Sequence, residues 1–137
     1  MSAETQRLAD SRLIVVKVGS TLVVDEASGE IRRDWLMALA DDVAALRARG
    51  QKVVIVSSGA IAAGRRRLGL KSRKLKLEEN QASAAVGMIR IAHAFQDALG
   101  RHDIPVAQAL LTLDDSETRR RYLNARSTFS TLLDLGA

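Results

Sequence analysis

Two short segments concentrate the residues best able to hold an anion. Val15-Val16-Lys17-Val18-Gly19-Ser20 and Val54-Ile55-Val56-Ser57-Ser58-Gly59-Ala60-Ile61-Ala62-Ala63-Gly64 each run from apolar, β-branched residues into small residues. A strand that ends in small residues leaves backbone N–H groups free, and a helix starting there aims more of them at one point. Lys17 adds a cation. A lysine near the end of an apolar strand either emerges toward an anion in a polar cavity or snorkels to solvent, because burying it unpaired costs several kcal/mol. Ser57 and Ser58 likewise have two readings: hydroxyls beside free amides that suit a carboxylate or phosphate, or an ordinary helix cap with Gly59 permitting a tight turn.

Other chemistries find little support. The first loop is neither a Walker A loop nor a dinucleotide fingerprint. The second is not a Gly-x-Ser-x-Gly elbow and lacks an evident Asp/His partnership, so a nucleophilic serine is disfavoured. His93 and His102 have no further spaced ligands and do not resemble a zinc site, so no metal-binding residue is assigned. Asp114, Asp115 and Glu117 gather at a helix start, where carboxylates complement the helix dipole. Asn124 and Arg126 fall on the last helix, where a surface or subunit contact is the simpler role.

The two segments need a scaffold that brings their ends together. Leu13 to Val18 reads as a strand whose near-continuous apolar character suits the middle of a parallel sheet, covered on both faces. Thr21 to Val24 is β-branched and extends or pairs, and Asp25 to Glu30 is a turn-rich loop. A helix over Arg33 to Arg49 presents Trp35, Leu36, Leu39, Ala40, Val43 and Leu46 as one apolar stripe, with Trp35 in the core and Gly50 as the stop. A second strand over Lys52 to Val56 leads into a short helix, Ala60 to Leu68, ended by Gly69.

Lys71 to Lys76 is a basic loop. A long helix follows from Glu78 to Leu99, apolar at Ala82, Ala85, Val86, Ile89, Ala92, Phe95 and Leu99, and closed by Gly100. Pro105 limits continuation, and Val106 to Leu111 reads as a third strand. The last helix spans Ser116 to Leu135, with Asp115 or Ser116 as N-cap and Gly136 as C-terminal cap. This alternation specifies an α/β fold. If one crossover helix links the first two strands, they are parallel and their C-terminal ends share one side of the sheet. Lys17 then faces the second loop across a crevice.

Composition bounds the rest. The 137 residues, 47% hydrophobic and 27% charged with one proline, are enough for one globular domain with a real core. The absence of cysteine excludes disulfides, thiolate metal sites and cysteine nucleophiles. A polar N-terminus and the lack of a bilayer-length apolar run give the expectation of a soluble, cytoplasmic protein with no membrane partner. The net charge of +5 comes with only 3% aromatic residues, which disfavours a nucleic-acid partner and leaves a basic surface that attracts anionic metabolites.

Beyond these motifs, the chain resembles the amino-acid kinase superfamily, and within it the glutamate 5-kinases. The likeness covers Leu13 to Ala137. It rests on Val15 to Ser20, Val56 to Gly64, Gln81-Ala82 with Ala84-Ala85-Val86-Gly87, Leu110-Leu111-Thr112 and Leu123-Asn124-Ala125-Arg126, in matching order. Ser-Gly-Ala-Ile-Ala-Ala-Gly is the specific part, whereas a strand with Lys-x-Gly is shared with carbamate, acetylglutamate, aspartate and uridylate kinases.

The resemblance implies a three-layer αβα sandwich with a mainly parallel sheet, of which residues 13–137 form the N-terminal part, preceded by a disordered or extended arm over 1–12. It implies transfer of the ATP γ-phosphoryl group to the side-chain carboxylate of L-glutamate, the first step of proline biosynthesis, with ATP and Mg2+ required and a homo-oligomeric assembly. Lys17 corresponds to the catalytic lysine, with Lys17, Gly19 and Ser20 at the ATP phosphates. Ser58, Gly59 and Ala60 correspond to part of the glutamate site. Met88 departs from the family's usual Gln. Family stretches such as Asn-Glu-Asn-Asp and the adenine-binding half do not occur in these residues, which gives the expectation of an N-terminal portion with little or no activity alone. The alternatives are another kinase of the family, acting on acetylglutamate, aspartate or UMP, or a noncatalytic binding or assembly module.

Overall fold

A computed structural model describes residues 2–70 and 74–137. The chain forms α1 (Ala3–Asp10), β1 (Leu13–Val18), α2 (Ser20–Val23), α3 (Arg33–Ala48), β2 (Lys52–Ser57), α4 (Ala60–Arg65), α5 (Leu77–Gly100), α6 (Leu113–Glu117) and α7 (Arg119–Asp134). β1 and β2 pair in parallel, with Lys17 opposite Val56 and Val18 opposite Ser57. The connection through α3 is the crossover that parallel pairing requires. Both strands therefore end on the same side of the sheet, as the α/β pattern predicts.

Alternation along β1 divides the sheet into unlike faces. Ile14 and Val18 are buried, with Val16 packed against the core, whereas Leu13, Val15 and Lys17 are exposed. The covered face meets Leu36, Ala40 and Val43 of α3 and Ile91, Ala94, Phe95, Ala98 and Leu99 of α5. Trp35 is half-buried at the edge of this cluster. The expectation of a strand covered on both faces is thus met on one face only, and Val15 remains 62% exposed.

Helix ends follow their glycines. Gly50 and Gly69 adopt left-handed φ of 81° and 68° just beyond α3 and α4. There Gln51 N–H donates to Leu46 O (3.3 Å) and Leu70 N–H to Arg65 O (3.0 Å), satisfying carbonyls that the helices leave open. The start of α6 is closed by a side chain instead. Asp115 accepts from the backbone N–H of Thr112 (2.7 Å), so the cap is Thr112 rather than Asp115 or Ser116.

Several expectations are corrected. Within the arm expected over 1–12, Ala3–Asp10 is helical rather than extended: Ser2 caps α1, and the Gln51 side chain holds its far end by donating to Leu8 O (2.9 Å) and Ser11 O (2.7 Å). Thr21 does not extend the strand, because Ser20–Val23 is a helical turn and only Val24 bridges to Ile31. Val106 to Leu111 forms no strand. Its residues are exposed beside β2 without ladder bonds, and β-propensity expresses a fit to a paired, half-buried surface rather than a backbone preference. The last helix breaks at Thr118 into α6 and α7. The basic loop predicted from Lys71 lies partly outside the described residues.

The long helix buries Phe95 and Leu99 as its apolar pattern predicts, but its first half turns a different face inward. Ala82, Ala85 and Ile89 face solvent, while Ser83, Gly87 and Ile91 face inward. The reason is the approach of α4. A Cβ at Gly64 would stand 1.8 Å from Ser83 O, and one at Gly87 would stand 1.7 Å from Ala60 O, so only glycine permits this backbone-to-backbone packing.

Candidate functional site

β1 and β2 deliver their two loops into direct contact. Beyond the last paired residues, Ser58 N–H donates to Val18 O at 3.1 Å, extending the ladder by one step. Gly59 then turns with φ of 104° and lies against Ser20 and Val24. A Cβ there would come within 3.2 Å of the Val24 side chain and 3.4 Å of Ser20 Cα. Two separate demands, a left-handed backbone and a close neighbour, therefore specify glycine at 59.

This contact brings Gly19, Ser20, Ser58, Gly59 and Ala60 together at the C-terminal edge of the sheet. Gly19 is the N-cap of α2 and Gly59 the N-cap of α4, neither supplying a side-chain cap bond. The backbone amides of Gly19, Ser20, Gly59 and Ala60 form no backbone hydrogen bond among the described residues. Ser58 does not cap α4, and the Ser57 hydroxyl donates to Ser58 O (3.2 Å). The ordinary-cap reading of these serines thus loses its geometric basis.

Lys17 lies one residue before the buried Val18, on the exposed face of β1. Among the described residues it forms no hydrogen bond and no ion pair. Its cationic head is left to solvent or to a ligand. The second loop also borders an open groove of about 1480 Å³ that runs along β2, with Ser20, Ser57, Ser58, Gly59, Ala60 and Met88 in its wall. A site of this composition presents amides, hydroxyls and a nearby lysine. Such groups bind carboxylate or phosphate.

The other titratable groups belong to turns and helix surfaces. Asp25 closes the turn after α2 by accepting from Ser28 N–H at 2.9 Å and pairing with Arg32 at 3.0 Å. The Ser28 hydrogen bonds and the nearby Arg32 charge hold its carboxyl below the ordinary value of 3.8. Asp115 is lowered in the same way by Thr112. His102 meets Asp41 at 2.7 Å, and His93 lies 3.5 Å from Asp97. None of these residues lines the two loops. Among the described residues no group of three His, Asp or Glu side chains is placed to hold a metal, and no helix is long and apolar enough to cross a membrane.

Sequence reasoning missed Arg90. Its guanidinium reaches across α4 to Ala63 O and to the turn at Gly29 O (3.3 Å) and Glu30 (3.1 Å). The signal was a charged residue one helical turn after Gly87 on the buried side of α5, between Gly87 and Ala94.

Residues 12–137 match the amino acid kinase family. The chain is similar to a glutamate 5-kinase of Paramagnetospirillum magneticum, 65% identical over 130 residues, covering 95% of this chain and 35% of that protein. It is also similar to glutamate 5-kinases of Dinoroseobacter shibae, 58% identical over 129 residues (94% and 35%), and of Ruegeria sp., 54% identical over 130 residues (95% and 35%). The chain thus spans about a third of the length of the curated relatives it matches.

Proposed function

This chain belongs to the amino acid kinase family, and on that premise we propose that it serves the ATP-dependent phosphorylation of the side-chain carboxylate of L-glutamate, yielding L-glutamyl 5-phosphate for proline biosynthesis. The observation that carries the proposal is the contact of the Gly19-Ser20 loop with the Ser58-Gly59-Ala60 loop. It sets two groups of free amides side by side, as a donor phosphate and an acceptor carboxylate require.

Roles follow from the chemistry of each group. Lys17 is the catalytic cation for the charge that spreads over the γ-phosphoryl oxygens in transfer, and Gly19 and Ser20 bind the ATP phosphates. Ser58 and the amides of Gly59 and Ala60 hold glutamate. The acceptor carboxylate has a reference pKa of about 4.3 and is ionised at neutral pH, so these residues need supply no general base. What remains is to place two anions in line and offset their repulsion.

ATP, as its magnesium complex, supplies the transferable phosphoryl group. The unengaged amides and unpaired Lys17 fit its phosphates. A cytoplasmic location and homo-oligomeric assembly complete the reading.

Calorimetry on the purified chain, titrating L-glutamate, ATP–Mg2+, acetylglutamate, aspartate and UMP in turn, tests the ligand assignment. Binding of ATP and L-glutamate is expected, and selective binding of UMP, aspartate or acetylglutamate would overturn it. Turnover is tested by replacing the corresponding segment of the P. magneticum relative with residues 12–137 and trapping acyl phosphate with hydroxylamine. In that chimera Lys17→Met is expected to lower the rate by about 10²- to 10³-fold, the scale of losing one preorganised donor to transition-state charge.

A further inference from the structure

We propose that Arg90 is a positioning residue that sets the spacing between the two loops, and through it the placement of the glutamate carboxylate. The inference rests on the proposed ligand assignment for its functional half. Its structural half stands independently.

Arg90 lies on α5, outside both loops, and its side chain is 19% exposed. One guanidinium nitrogen donates to Ala63 O in α4 and to Gly29 O (3.3 Å), and the other pairs with Glu30 at 3.1 Å. Ala63 lies in the last turn of α4, whose final carbonyls lack intrahelical partners, so the guanidinium occupies an acceptor that the short helix leaves open. The Arg66 stem also lies beside Gly29, its Cδ 2.9 Å from where an added Cβ would stand. The turn therefore neighbours two arginines.

These contacts close a circuit. The turn joins α2 through Asp25, whose N–H donates to Glu30 O at 2.9 Å, and the preceding Val24 packs on Gly59. Along the other route, Ala63 leads one helical turn back to Ala60 and Gly59, and Ala63 N–H donates to Gly59 O (2.9 Å). Arg90 holds the downstream side of each loop in one rigid, forked side chain. Lysine, a single flexible point charge, cannot reproduce that fork.

The test compares wild type with Arg90→Gln, Arg90→Lys and Glu30→Gln by amide NMR spectra and hydrogen exchange without ligand, and by L-glutamate affinity. Glu30 is exposed at its carboxylate, so Glu30→Gln keeps the fold if Arg90→Gln does not. The expected result is shifted amide signals and faster exchange at residues 58–60 and at Gly29, with β1 and α3 signals unchanged. Glutamate binding should weaken about tenfold in Arg90→Gln, the scale of losing a hydrogen bond to a charged group, with no rescue by Arg90→Lys and a smaller loss in Glu30→Gln. Unchanged signals at residues 58–60 in every folded variant would overturn the proposal, as would full rescue by lysine. If wild type binds no glutamate, the ligand assignment fails, while the spectra of the unliganded variants still decide the role of Arg90.

Discussion

Replacing Gly87 by alanine gives the sharpest view of how packing shapes the site. Alanine is the better helix former by about 1 kcal/mol, so propensity alone predicts a more stable protein. The structure predicts the reverse. The new methyl would sit 1.7 Å from Ala60 O, while ordinary contact begins at 3.4 Å, so the backbones of α4 and α5 must separate by about 1.7 Å. The obstacle is a carbonyl fixed at the start of a helix, which has no rotamer with which to retreat. Overpacking of this kind costs about 1–3 kcal/mol, and a backbone obstacle puts it at the upper end, exceeding the propensity gain. The net loss of about 2 kcal/mol should lower the melting temperature by several degrees. Because Ala60 belongs to the proposed glutamate loop, a displacement above 1 Å should also weaken glutamate binding by far more than the stability loss explains. Thermal unfolding and glutamate titration of Gly87→Ala read both effects. A variant that melts at or above the wild-type temperature and binds glutamate equally well would refute the reasoning.

Three further outcomes are expected. Gly59→Ala must adopt φ of 104° and crowd Val24, so it should cost about 1–2 kcal/mol in chemical denaturation and move the Ser20 amide signal along with its own. Asp25 has a lowered folded-state pKa, so its carboxylate supports the turn above the unfolded value near 3.8, and that support disappears as pH falls through the lower folded value. The Ser28 amide signal should accordingly hold steady down to about pH 4 and shift only in stronger acid, and Asp25→Asn should abolish that acid transition. Gln51→Ala removes the donor shared by the carbonyls ending α1, which should speed hydrogen exchange and proteolysis across residues 3–10 while leaving ligand binding intact.

The elements legible in sequence were those fixed by strong local patterns. The apolar run Leu13 to Val18, the stripe of α3 and the stops at Gly50 and Gly69 all carry their cause within a few residues. The two loops were legible for the same reason, since Gly and Ser after β-branched runs mark strand ends. Their mutual contact was not, because it depends on Val24 reaching Gly59 from an unforeseen helical turn. The apolar pattern of α5 holds at Phe95 and Leu99 but not at Ala82, Ala85 and Ile89, because the close approach of α4 to Gly87 turns another face of its first half inward. Val106 to Leu111 has the composition of a strand, but pairing is a tertiary event that composition cannot supply. Arg90 showed only as a charge on a buried face, without the carbonyls that explain it.

The central claim is that the loops at Gly19-Ser20 and Ser58-Gly59-Ala60 form one site for a donor phosphate and an acceptor carboxylate. An amide NMR titration of the purified chain with ATP–Mg2+ and L-glutamate, repeated on Lys17→Met, tests it most directly. The account predicts ATP-dependent shifts at Gly19 and Ser20, glutamate-dependent shifts at Ser58, Gly59 and Ala60, and loss of the ATP response in Lys17→Met. Shifts confined to other parts of the chain, or an undiminished ATP response without Lys17, would contradict it.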